Sequence, residues 1–550
     1  MCAPFILRPI SRRPAGRACD GPLIARTPST GMNSTSETRT FFALAAITLL
    51  LRGALAAWLP ITGDEAYFHA WGKSPDWGFY DHPPMVGWWL AAMSALSDHP
   101  FVLRLPALLA PPLVGLIVAA TLARHGAALA WSAATLVLLV PLNAWNVAIT
   151  TDIPLMIFSA AAVAAYLRAL RTGRALDFLL AGLLLGGALL SKYFAALLAL
   201  AIFFHAVTRP GRQRVFGISL VVLASLPAVL LQVAWNWQNC WPNVMFNLVN
   251  RHDNAGWSLT TPLLYLVSLA YVLTPPVLWA LARGAGRLGS AGVHGASRER
   301  TALAWLAGFP FAVFALLSAV KTIGLHWLAS FVAPAVMLFA LGPAGAAGQG
   351  GRGDSATGAG LRRAIRFAAG LAVLHYLVIA GLAAAPIEWF ADSRRYQGIV
   401  MTLRPQALNE RIEPLADRFA VTARGYSPAV TLGFNLGRHV PVFGAGSSHA
   451  RHDDILTDFR ALDGRDLLVV SKEVPDPAEY EPYFRRVVYR QEQVLGATFH
   501  FIEGYGFRYA AYRDVVLEEI RERWYAVPGW LPRGPCYFCD RYFPERSCHR

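Results

Sequence analysis

A chain of 550 residues with 55% hydrophobic and only 15% charged side chains is too apolar for a soluble protein, in which about a quarter of residues are charged; its mean hydropathy is +0.40. The formal charge of +15 is not laid out as a basic stripe with interleaved aromatics. The arginines cluster between apolar runs, which argues against nucleic acid and for a polytopic membrane protein with its positive loops inside. That balance also suits anionic lipid phosphates as substrates.

In chain order, residues 1–40 hold Arg8, Arg12, Arg13, Arg17, Arg26 and Arg39 with few acids, and the first long apolar run begins at Phe41. This reads as a disordered basic cytosolic tail, with Met32 an alternative initiator, because a signal peptide carries its apolar segment nearer the start. About eleven stretches then approach the roughly 20 apolar residues that a spanning helix needs. They lie near 41–59, 101–123, 128–148, 153–171, 175–190, 193–208, 215–235, 261–282, 301–320, 328–343 and 367–385. With the N-terminus inside, alternation places Arg124, Arg168, Arg171, Arg174, Arg209, Arg212 and Arg214 in the cytosol, along with Arg283, Arg287, Arg298, Arg300, Arg352, Arg362, Arg363 and Arg366. The predicted topology is N-in, C-out, and the Gly/Ala-rich stretch Gly342 to Gly360 reads as a flexible cytosolic linker.

Three polar segments fall outside: 60–100, 236–260 and everything from 386 onward. The first carries Asp64, Glu65, Asp76, Asp81 and Asp98 against Lys73, and short interfacial helices are expected around Glu65 to Trp71 and Val86 to Leu96, with Trp71, Trp77, Trp88 and Trp89 at headgroup depth. Past Pro386, short strands are predicted at Ala429 to Phe434, Val440 to Phe443, Asp466 to Ser471, Arg486 to Tyr489 and Thr498 to Ile502. The expected fold is an all-α polytopic membrane bundle over 41–385, followed by an extracytoplasmic α/β domain over 386–550.

The acid pair Asp64-Glu65, directly after the first span, must face water, protein or a ligand, since lipid is costly for a carboxylate. It reads equally as a catalytic base at the membrane surface or as an acidic cap, with Asp64 capping an interfacial helix. Asp152, two residues before Pro154, fits a helix N-terminus and is also a site candidate. Cations on the outer side are few: Lys192, Arg251 beside His252, and Lys321 before His326-Trp327. Each either stabilises a departing phosphate or is held in an interhelical ion pair. Asp81-His82-Pro83-Pro84 is a turn, so His82 is a contact or simply a turn residue. The loop Trp235 to Trp241 reads as interface anchoring or sugar stacking, and Arg52 is expected to face the bundle. Cys536, Cys539 and Cys548 leave disulfide, metal and neither all open. No Gly-rich loop points to a nucleotide sugar.

Gly63-Asp64-Glu65-Ala66-Tyr67-Phe68 followed by Gly78-Phe79-Tyr80-Asp81-His82-Pro83-Pro84 resembles the first outer loop of the bacterial glycosyltransferase family 39 proteins, relatives of the dolichyl-phosphate-mannose protein mannosyltransferases and the lipid A aminoarabinose transferases. Leu190-Ser191-Lys192-Tyr193, Trp235-Asn236, and Lys321 with His326-Trp327 before Ala333-Pro334-Ala335 agree with it. The resemblance spans about residues 41 to 470. It implies a GT-C fold and an inverting transfer of a sugar from a polyprenyl-phosphate carrier in the bacterial inner membrane to a lipid A, glycan or protein acceptor. It also implies Asp64 as catalytic carboxylate, with Glu65, Tyr67, His82, Asp152, Lys192, Arg251, Lys321 and His326 lining the donor or phosphate pocket. No cofactor is required by these residues; a divalent metal is compatible with them. A transporter or flippase of lipid-linked saccharides is the alternative from another class.

Overall fold

The computed structural model describes residues 36–208, 212–250, 256–290, 298–342 and 352–549; most of the predicted N-terminal tail lies outside them. Every one of the predicted apolar stretches falls on helix. Six of these helices are long and apolar enough to cross a membrane: Ser36–Trp58 (α1), Pro100–His125, Asp152–Thr172, Val215–Gln238, Arg298–Ser318 and Gly358–Ala384. A seventh candidate, Thr260–Leu273 with Pro275–Gly284, bends by 106° at Thr274, whose φ is +69° and which precedes a proline pair that bars a continuous helix. Ala127–Leu139, Ala175–Leu189, Ala195–Val207 and Leu325–Ala340 are shorter, so length alone gives six or seven spans rather than eleven. The chain is thus a multi-pass membrane protein by composition and helix length.

Packing in the bundle uses small residues where backbones must approach. A side chain at Gly182 would meet the Val221 carbonyl oxygen at 2.3 Å, and one at Gly186 would meet Ala228 at 3.3 Å, the small-xxx-small contact of membrane helices. At the end predicted to be cytosolic, Glu299 pairs with Arg171 and His125, both at 2.8 Å, and with Arg124. Two of the predicted inside arginine clusters therefore converge on one acid. Arg52 is buried, as expected for a bundle-facing residue. The linker reading fails beyond residue 351: from Arg352 the chain is helical to Ala384.

Between the first two spans lie Gly63–Lys73 (α2) and Met85–Ser94 (α3), where interfacial helices were predicted. Trp77 is exposed, but Trp71 is fully buried and stacks on Phe79 at 4.5 Å, so it is core rather than a headgroup anchor.

The C-terminal part holds a four-stranded sheet of Ala420–Ala423 (β1), Leu467–Ser471 (β2), Arg486–Val494 (β3) and Ala497–Tyr505 (β4) in the order β1-β2-β4-β3. β1 runs parallel to β2, and β4 is antiparallel to both β2 and β3. Three predicted strands match β2, β3 and β4. The fourth, Ala429 to Phe434, is instead part of the helix Tyr426–Leu436, because a short apolar run does not by itself distinguish strand from helix and Pro428 sits in the first turn, where its missing N–H would have no intrahelical partner in any case. Val440 to Phe443 makes only an isolated bridge, from Val442 to Ala423.

The last forty residues tie this domain to the second outer loop. Cys240 is bonded to Cys536 and Cys539 to Cys548, so these sulfurs are not available as metal thiolates. Around the first bond, Trp241 Nε1 donates to the Pro532 carbonyl and Trp237 Nε1 to that of Arg533, each at 2.8 Å. Trp237 and Trp241 therefore hold the tail, while Trp235 Nε1 donates to Asp76 at 2.9 Å, so all three indole nitrogens of this loop have protein partners. On its other side the tail grips the segment 453–457: Tyr525 Oη donates to Asp454 and Arg541 to the carbonyls of Asp454, Ile455 and Thr457.

Peptide mapping without reductant is expected to recover Cys240 and Cys536 in one cross-linked fragment. Replacing both by serine should destabilise the protein by about 2–4 kcal/mol and open Arg533 to trypsin, read by thermal unfolding and limited proteolysis.

Candidate functional site

The site begins with the first turn of α2. Thr62 is its N-cap: the Thr62 hydroxyl accepts from the Glu65 backbone N–H, and the Glu65 carboxylate accepts from the Thr62 N–H at 3.1 Å. This is a capping box, and it corrects the expectation that Asp64 caps. The same Glu65 carboxylate takes two hydrogen bonds of 2.7 Å from Arg104 and one of 3.1 Å from the Ile149 N–H. Arg104 also donates to the carbonyls of Ala56, Leu59 and Pro60. Glu65 is 1% exposed and does not line the cavity beside it; it is a strut between three segments. Asp64, about 100° further back around the helix, is left with its carboxylate on a cavity wall.

That inner cavity has a volume of about 440 Å³. It brings together Asp64, Tyr67, His82, Asp152, Lys192 and His326 from the predicted set. Lys321 is not among its lining residues, and Arg251 lies outside the described residues. Asp152 is the first residue of its helix without capping it; its two oxygens accept from Lys192 Nζ at 2.8 and 2.9 Å. Lys192 is therefore held as an interhelical ion pair inside the cavity. His82 sits in the predicted turn, with Nδ1 at 3.2 Å from Asp81 Oδ2.

Several lining residues were not singled out from sequence. Asp81 is buried, accepts from Tyr67 Oη at 3.2 Å, and faces Asp64 across the cavity wall. Burial pushes the Asp81 carboxyl up, but His82, His449 and His452 outweigh it and hold the group below the usual range. Asp64 goes the other way: desolvation raises it, the Asp81 charge adds to the rise, and His449 and His82 pull back only in part. Two neighbouring carboxylates thus titrate apart, the arrangement that separates a proton acceptor from a fixed charge. Tyr426 and His449 reach the cavity from the C-terminal domain and stack at 5.5 Å. Close approach requires Gly63, where a Cβ would meet Ser427 Oγ at 2.6 Å. The pairing of Asp81 with His82 was visible in the motif, whereas nothing in the sequence links His449 or Tyr426 to a loop more than 350 residues earlier.

Residues 81–237 match the family described as dolichyl-phosphate-mannose-protein mannosyltransferase, a segment that contains Asp81, His82, Asp152 and Lys192. The crystal structure of ArnT from Cupriavidus metallidurans in the apo state superposes with a TM-score of 0.56 at 13% identity, over 85% of this chain and 98% of that one. The chain has the GT-C fold. The form of that ArnT bound to undecaprenyl phosphate gives a TM-score of 0.55 at 16% identity, over 84% and 98%. Lipid A galacturonosyltransferase RgtD from Rhizobium johnstonii is 27% identical over 208 residues, 36% of this chain. That alignment spans 41% of the relative's own length. In this chain the N-terminus of α2 meets the C-terminal domain at Ser427, and the inner cavity, lined by residues of the bundle, of the first loop and of that domain, lies at this junction.

Three substitutions separate strut from site. Arg104→Met leaves the Glu65 carboxylate buried and unpaired and should cost about 3–5 kcal/mol, read as a lower thermal midpoint. Lys192→Gln should destabilise similarly, and adding Asp152→Asn should restore the midpoint without restoring binding of undecaprenyl phosphate.

Proposed function

We propose that the protein is an inverting glycosyltransferase that moves a hexosyl or pentosyl group from a polyprenyl-phosphate carrier to an acceptor hydroxyl outside the cytoplasmic membrane. The observation that carries this reading is Asp64, a carboxylate with a raised pKa on the wall of a cavity that also holds Lys192, His82 and His326. The acceptor oxygen attacks the anomeric carbon, the bond from that carbon to the phosphate oxygen breaks with its electron pair going to phosphate, and the hydroxyl proton passes to Asp64. Lys192 and the histidines stabilise the charge that builds on the leaving phosphate. Tyr67 and Asp81 position the acid, with Asp81 remaining ionised. Glu65 takes no part except to hold the first turn of α2. The undecaprenyl phosphate in the ArnT complex supports the donor class, and the lipid A relative supports lipid A among acceptors that also include glycan and protein. No cofactor enters the scheme; a divalent ion on the carboxylates would reveal itself as transfer lost in EDTA and restored by metal.

The long disulfide supports the proposed topology. Cys240 and Cys536 are bonded and so share a compartment, which requires an even number of crossings between them. Counting the bent pair, Arg298–Ser318 and Gly358–Ala384 as spans gives an odd number. The arginines at 283, 287, 298 and 300 favour a crossing by the bent pair, so Leu325–Ala340 is the fourth. Its first seven residues are 3-10 helix and rise about 2.0 Å each, which brings the whole segment to roughly 27 Å, close to the bilayer core. This supports an eleven-span bundle with residues 386–550 in the periplasm of a bacterial inner membrane, an oxidising compartment suited to the disulfides.

A flippase would use the same cavity without chemistry, yet the halves of this bundle are unequal and the soluble domain closes on the cavity from one side. Asp64→Asn should lower transfer by about 10² to 10⁴ and leave undecaprenyl phosphate binding unchanged. In the parent protein the rate should fall as pH drops through the raised Asp64 pKa, because only the ionised form accepts the proton. Since that pKa is higher in the folded than in the unfolded chain, ionisation at neutral pH opposes folding, and Asp64→Asn should melt no earlier than the parent. Loss of carrier binding together with transfer, or full activity of the variant, would sink the assignment.

A further inference from the structure

A second and larger cavity, of about 690 Å³, lies between α2 and the Tyr426–Leu436 helix. We infer that this outer cavity is the acceptor compartment and that it takes a saccharide headgroup, a reading that rests on the transfer reaction proposed above. Tyr67, Tyr426 and His449 line both cavities, so a ligand in the outer one abuts the wall that carries Asp64, one turn before Tyr67 on the same face of α2.

The chemistry of the walls selects the ligand. Fixed charges balance: Lys73 and Arg438 against Asp98 and Asp453. Most are already paired, with Asp98 at 2.6 Å from Lys73 and 2.9 Å from His69, and Asp453 at 3.2 Å from His439. Such a wall offers donors and acceptors of both kinds without the excess positive charge a bare phosphate would need, while Tyr67, Tyr426 and Phe434 supply ring faces. Hydrogen-bonding groups of both kinds between aromatic faces suit a polyhydroxylated ring.

An independent observation comes from His452. It lines the outer cavity, is 4% exposed, and neither ring nitrogen has a hydrogen-bond partner among the described residues. A buried imidazole without partners is costly unless a ligand or water completes it. Burial lowers its pKa to about 4, so the ring is neutral and presents one donor and one acceptor, matching a hydroxyl rather than an anion. A polypeptide acceptor fits less well: Val442 on this wall is bridged to Ala423 on one side and its own N–H is taken by Asp453 at 2.9 Å, so it offers no free backbone donor to an extended chain.

The test uses the full-length protein in nanodiscs with four probes: undecaprenyl phosphate, lipid A, the free glucosamine disaccharide and a serine-containing peptide. Val430→Trp fills the cavity, and His452→Phe keeps the ring volume while removing both nitrogens. Each should weaken saccharide binding at least about tenfold, with undecaprenyl phosphate binding unchanged as proof of an intact fold. Binding of the disaccharide by itself would show that the sugar is what is read; binding of lipid A but not the disaccharide, still sensitive to both variants, would add contacts from the acyl chains. Saccharide binding indifferent to both variants, or binding of the peptide alone, overturns the inference. Failure of the parent protein to bind undecaprenyl phosphate would instead remove the donor reading and leave the saccharide result to decide this one.

Discussion

Everything at the membrane surface is arranged around the buried contact of Glu65 with Arg104. One carboxylate completes the capping box of α2, and one guanidinium gathers three carbonyls from the end of α1 and the turn after it. Charges this deeply buried are tolerated only when their hydrogen-bonding capacity is filled, and here Glu65 receives bonds from Thr62, Arg104 and Ile149. Because this cluster fixes the start of α2 in position and rotation, the neighbouring Asp64 is held toward a cavity without itself being needed for capping. Two adjacent acids thereby acquire opposite roles from a rotation of about 100°.

The cavity is completed from the far end of the chain. His449 and Tyr426 approach α2 because Gly63 permits it. They are held there by a segment whose Arg451 and Asp454 form a buried pair that Tyr525 joins. The tail carrying Tyr525 is bonded through Cys536 to the loop of Cys240, and that loop supplies Phe246 and Asn247 to the inner cavity. Asn243 in the same loop donates to the carbonyls of Phe79 and Tyr80, one residue from Asp81. Rigid support of this kind is what a preorganised charged site requires, since its electrostatic effect depends on groups that do not reorganise.

How much of this could be read from the sequence varies with the physics involved. Apolar length is what a bilayer demands, so every spanning stretch was found where helix lies, although the brevity of Ala127–Leu139 or Leu325–Ala340 was not apparent from hydropathy. The turn at Asp81-His82-Pro83-Pro84 was legible because proline restricts the backbone locally. The role of Glu65 was not, because neighbouring letters in a motif do not reveal which helix face each occupies; nor was Trp71, whose burial depends on Phe79 folding back over it. Arg104 carries a signal of its own, since an arginine at the start of an apolar run beside an acidic loop needs a partner. Cys240 and the tail cysteines could not be paired from spacing, because 296 residues separate Cys240 from Cys536.

The two cavities differ in the charge they present. In the inner one Asp64, Asp81 and Asp152 face Lys192, the one lysine among its described lining residues and already engaged by Asp152, so under the proposed transfer a phosphate would be met partly by the histidines at 82, 326 and 449. The same rings bear on Asp64: His449 and His82 offset in part the rise that burial and Asp81 impose on its pKa. Under the proposed transfer, the rings that would meet the phosphate are therefore also the ones nearest the base. The outer cavity, with its charges paired among themselves, exerts no comparable pull. Under the proposed transfer, this distribution of charge sets the phosphate-binding groups on the inner side of Tyr67, Tyr426 and His449 and the charge-balanced wall on the outer side.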